Sequence, residues 1–116
     1  MDGWTSYQFP FIHKTVDVAS GGSATVFDLD IPAGGVGFIT AVGNNYFNGV
    51  QWSWYIDDAL VEPDPIERQL GFVNMPKKYE PPLVVKNNIR VTVYNGASET
   101  ASLEWLCNGY IYMRTE

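Results

Sequence analysis

Cysteine, histidine and basic residues are all scarce in this sequence, and each scarcity removes a class of function. The single cysteine, Cys107, cannot form an internal disulfide, so a disulfide-stapled secreted scaffold is ruled out. It shares parity with Leu103 and Trp105, and no basic residue lies near it before Arg114. It therefore reads as a small buried hydrophobe and not as a nucleophile. The single histidine, His13, has no cysteine nearby in sequence and no second histidine for a metal site, and reads as a surface or packing residue. Seven basic residues stand against thirteen acidic ones, a formal net charge of −6, and the only adjacent basic pair is Lys77-Lys78. Phosphate contacts need a basic stripe, so neither nucleic acid nor an anionic membrane is expected as a partner. No apolar run approaches the ~18 residues that would span a bilayer. The opening Met-Asp-Gly-Trp has neither a basic n-region nor an apolar h-region. The expectation is synthesis without a signal peptide and folding in a cytoplasm.

The carboxylates form no recognisable chemical motif. Asp28 and Asp30 share a strand face, while Asp57, Asp58, Glu62 and Asp64 cluster around a turn and its exit. No run matches the D-x-[DN]-x-[DN]-G spacing of a calcium loop, and nothing selects a carboxylate pair at glycosidase separation. Their simplest role is to solvate exposed strand faces and blunt sheet edges. No catalytic residue, cofactor or metal is expected, and the chain is not expected to be an enzyme.

What the sequence does hold is apolar and aromatic material in period-2 order. Its 116 residues make one domain, and 46% hydrophobic with 15% aromatic content is ample for a packed core. Alternation predicts strands at Thr15–Ala19, Ala24–Ile31, Val36–Tyr46, Val50–Ile56 and Ala59–Glu62. Asn48-Gly49 is a strong hairpin signal, and Asp57-Asp58 predicts a two-residue turn. Five of the seven prolines fall between Pro63 and Pro82, which predicts a crossover connection with at most a short strand at Ile66–Val73. Strand character resumes at Leu83–Val85. Ile89, Val91 and Val93 form the next inward row, ending at Asn95-Gly96. Leu103, Trp105, Cys107, Ile111 and Met113 keep one parity, with a bulge expected at Asn108-Gly109. The fold class is therefore all-β: an antiparallel β-sandwich of jelly-roll or Greek-key connectivity over 15–116, preceded by an extended arm over 1–14.

The aromatics divide into two sets. Trp52, Trp54 and Trp105 have inward parity and belong to the core. Tyr55, Tyr94, Tyr110 and Tyr112 have outward parity, and the arm carries Trp4, Tyr7, Phe9 and Phe11. Exposed Tyr and Trp supply rigid amphipathic area, so these eight are the candidate contact residues, for a protein surface or for sugar rings.

Three stretches carry a family resemblance: Ile31-Pro-Ala-Gly-Gly-Val-Gly-Phe-Ile39, Trp54-Tyr-Ile-Asp-Asp-Ala-Leu-Val-Glu62 and Pro81-Pro-Leu-Val-Val-Lys-Asn87. Over roughly 15–113 the chain resembles small jelly-roll virion proteins of tailed bacteriophages, the capsid decoration or cement proteins and related head and tail accessories. The resemblance implies a structural protein of the virion that binds a major capsid protein or another virion protein and stabilises the assembled particle. It further implies homo-oligomers, often trimers, an arm that reaches a neighbour, and no catalytic residues. The alternative is a carbohydrate-binding module for host-surface attachment.

Overall fold

The computed structural model describes residues 4–8, 12–61, 66, 69–71 and 75–114. Nine strands are described: β1 (Trp4–Gln8), β2 (Ile12–Val18), β3 (Ser23–Asp30), β4 (Gly35–Asn44), β5 (Val50–Ile56), β6 (Ala59–Leu60), β7 (Lys77–Val85), β8 (Asn88–Asn95) and β9 (Ala101–Arg114). One sheet runs β1-β9-β4-β7, with β2 also on β9; the other runs β3-β8-β5-β6. The antiparallel pairs β2·β9, β3·β8, β4·β7 and β5·β6 are nested one inside the next. The chain is thus one long antiparallel ribbon folded over on itself, which is the jelly roll.

This wiring corrects the reading of Asn48-Gly49. The pair does turn the chain: Val50 N–H donates to Phe47 C=O at 3.1 Å, and Gly49 takes φ +89°. However, β4 and β5 lie in different sheets, so the turn crosses the sandwich and is not a hairpin. Asn95-Gly96 crosses likewise, and Gly96 N–H donates to Gly49 C=O at 2.9 Å, stacking the two turns at one end. The hairpin between consecutive strands is at Asp57-Asp58, where φ values of 53° and 65° give the primed turn that matches strand twist.

Three further expectations shift. The irregular arm is replaced over 4–8 by β1, paired with Arg114 to Tyr110, and β2 begins at Ile12, not Thr15. The reason is that β9 runs to Arg114 and offers a backbone edge to β-favouring residues. Residues 1–3 and 9–11 lie outside the described residues. The prolines at 81 and 82 fall inside β7, not in a crossover. They are tolerated because β7 is an edge strand, and between Leu83 and Lys78 it slips register opposite Thr40. That irregularity in β4 is also the bulge expected at Asn108-Gly109, which instead pair along β4 while Thr40 is the extra residue. Of the possible strand at 66–73, Ile66 bridges Trp52; 67–68 and 72–74 lie outside the described residues.

Packing follows the alternation. Val50, Trp52 and Trp54 of β5, and Ile89, Val91 and Val93 of β8, are buried against Leu103, Trp105 and Cys107 of β9. Trp105 is the centre, with ring centroids 6.0 Å from Trp52 and 5.5 Å from Trp54 across the two sheets. Each such aromatic side chain buried adds several kcal/mol of apolar transfer, roughly 25 cal/mol per Å². A bulge between Thr25 and Phe27 lets both Val26 and Phe27 point to the core. Gly37 packs closely: a Cβ there would lie 2.8 Å from Ile31 Cδ1, the end of a side chain that would have to shift to admit it.

Candidate functional site

Outward positions of the first sheet assemble an exposed aromatic patch. Phe38 of β4 lies opposite Tyr110 of β9 on one side and Val84 of β7 on the other. Residues opposite one another in a ladder share a face, so Val84, Phe38 and Tyr110 form a row, with Tyr112 in the next row. The Phe38 and Tyr110 rings stack at 5.1 Å, and Tyr112 meets both edge-on, at 5.9 Å and 5.4 Å. Val84 is 49% exposed and Tyr112 40%. None of these four side chains is charged. The patch continues into a groove of about 470 Å³ beside Tyr110, lined by Thr40, Pro81 and Pro82 together with Lys78 and Glu80. The groove exists because the slip in β7 pulls residues 79–82 out of the ladder opposite Thr40.

The eight candidate contact residues do not form one site. Tyr110 and Tyr112 come together, and Phe38 and Val84 join them. Tyr55 and Tyr94 belong to the second sheet, on β5 and β8. Tyr55 lies under Arg90, whose guanidinium carbon is 4.7 Å from the ring centroid, and Tyr94 is 46% exposed. Trp4 and Tyr7 occupy β1 opposite Arg114 and Ile111; their side chains, and all of Phe9 and Phe11, lie outside the described residues. Phe38 left little signal, being a lone aromatic between Gly37 and Ile39. Its outward role emerges only from the ladder.

Several charged groups have structural partners and the one cysteine is buried, while Glu62 and Asp64 lie outside the described residues. Burial pushes the Cys107 thiol up to about 12, so it stays protonated at neutral pH. His13 Nε2 is 3.7 Å from Glu104 at the surface. Asn88 Nδ2 donates to both Asp28 and Asp30 at 2.7 Å. The Asp57 carboxylate accepts backbone N–H bonds from Lys86, Asn87 and Asn88 at 2.9, 2.6 and 3.0 Å. Partial burial raises its pKa, but those three donors and the Lys86 charge outweigh it and hold the group below the ordinary carboxylate value. Arg90 reaches Asp58 at 3.5 Å. Among the described residues, no three His, Cys, Asp or Glu side chains gather as a metal site.

No protein-family model and no curated protein matches the chain. Among solved structures it is similar to VP2 in the subviral particle of infectious bursal disease virus, at 13% identity and a TM-score of 0.45, over 97% of this chain and 33% of that one. The Gx strain of the same virus gives 12% identity and a TM-score of 0.42, again over 97% and 33%. FLHE gives 16% identity and a TM-score of 0.41, over 97% and 98%. This chain spans about a third of the length of the two viral chains.

Proposed function

We propose that this chain is a virion structural protein of a tailed bacteriophage, a capsid decoration or cement protein that docks on the assembled particle and is not an enzyme. The observation that carries the reading is the uncharged patch of Val84, Phe38, Tyr110 and Tyr112 on the outer face of a jelly-roll sheet. Aromatic anchors of this kind dominate protein interfaces, and large exposed apolar patches on small domains mark contact sites. A protein that binds the assembled shell and not its separated subunits makes the shell harder to disrupt by mass action.

The test compares thermal disruption of particles with and without the protein, at low and high salt. Stabilisation that survives high salt, and that is lost with Tyr112→Ala or Phe38→Ser, supports the cement role, since few charges are available to be screened. Equal particle stability in both preparations sinks it. Saturable binding of free glycans by the isolated protein would favour the carbohydrate-binding module instead. The burial of Trp52, Trp54 and Trp105 removes three of the four indole rings from that role.

A further inference from the structure

A sheet edge exposes unpaired backbone N–H and C=O groups, and a chain that remains monomeric must manage each one. Most edges here carry a guard. β7 has Pro81, Pro82 and a register slip. β3 has Asp28, Asp30 and a bulge. β6 is only two residues long. The remaining edge consists of β1 and β2, laid end to end along β9. β2 has a guard of its own: Lys14 lies opposite Trp105 with the parity of Val16 and Val18, a charge on the core-facing side of an edge strand. β1 has none. Trp4–Gln8 contains no charge, proline or glycine and pairs with β9 without interruption. Among the described residues nothing pairs with its other side.

We infer that β1 is a self-association edge, to which a second copy of this chain adds its own β1 antiparallel across a two-fold axis at Ser6. In a symmetric antiparallel ladder the axis passes where a residue meets itself. Only an axis at Ser6 brings all five residues into register, with Trp4 opposite Gln8 and Thr5 opposite Tyr7. No like charges face each other in that ladder, although each chain carries a net charge of −6. The β2 segments leave the axis in opposite directions, so Lys14 stays clear of the junction. The joined sheet reads β7-β4-β9-β1-β1-β9-β4-β7. Tyr112 lies opposite Ser6, so the Tyr112 positions of the two copies sit three strand spacings apart, about 14 Å. Two contact faces become one bivalent face. The inference stands on the edges alone and is independent of what that face binds.

A five-residue ladder buries less than the roughly 1,200–2,000 Å² of a standard stable interface, so the dimer is weak and concentration-dependent. Sedimentation velocity over rising concentration should show a reversible monomer–dimer equilibrium. Ser6→Lys and Ser6→Glu should each leave only monomer, by placing like charges at the axis, and an equimolar mixture should recover the dimer. Unchanged circular dichroism and melting temperature would show that both variants fold. In the unmodified protein, β1 amides should exchange more slowly as concentration rises while β7 amides do not. Monomer at every concentration, trimers, a dimer indifferent to both substitutions, or no recovery in the mixture would overturn the inference.

Discussion

The carboxylate of Asp57 ties two turns together. It sits in the β5–β6 hairpin and holds three amides of the β7–β8 turn, while its own N–H donates to Asn88 C=O at 2.9 Å. Asp57→Ala removes three bonds to a charged acceptor and should cost about 1–3 kcal/mol in urea unfolding. Because folding lowers this pKa, its stabilisation is complete above the unfolded value of about 3.9 and is lost as pH falls through the folded one. Stability measured between about pH 2 and 5 should therefore fall less steeply in Asp57→Asn than in the parent. Trp105 gives the opposite kind of residue effect. Trp105→Ala should cost about 3–5 kcal/mol by emptying the centre of the core. Trp105→Phe should cost distinctly less, because the indole N–H of Trp105 has no acceptor among the described residues and its removal relieves a penalty. The burial of Trp52, Trp54 and Trp105 was legible from parity alone. The role of Asp57 was not, since its partners are about thirty residues away in sequence.

Strands with alternating burial were readable from sequence almost to the residue: Val50–Ile56 is β5 without adjustment. β7 was hidden because proline rules penalise central strands, and nothing local says that a strand will lie at an edge. The Asn48-Gly49 turn misled for a related reason. Turn chemistry reports a change of direction, not the sheet that the next strand enters. The stretches on which the phage resemblance rests meet at one end of the sandwich, where Ile31 N–H donates to Asn87 C=O and Asp57 holds 86–88. Their shared pattern is thus mostly a junction of turns, although Phe38 and Val84 lie within these stretches and join Tyr110 and Tyr112 in the exposed aromatic patch. Asp58 has φ 65° in the β5–β6 hairpin and, among the described residues, a single long contact to Arg90. Asp58→Gly should stabilise the protein by about 0.5–1 kcal/mol, since glycine takes that conformation at no steric cost. A lower urea midpoint in that variant would show that the Arg90 pair matters more than the turn.

For the molecule as a whole, nesting means that β2 can join β9 only after the intervening chain has been gathered in. Among the described strands only the β5–β6 hairpin is local, so folding should be slow for a chain of this size. The same nesting brings residue 4 opposite residue 114, at one end of the ladder that β1 and β2 share with β9. A mechanical consequence follows. Tension applied between residues 4 and 114 opens that ladder like a zipper, loading one pair of hydrogen bonds at a time. Tension between residue 4 and Ser102, near the far end of β9, loads the whole ladder in shear. Force spectroscopy with handles at these two pairs of positions should find the first geometry yielding at much lower force, with β1 peeling away before β2. A jelly roll built this way resists being slid apart far better than being unpicked from its ends.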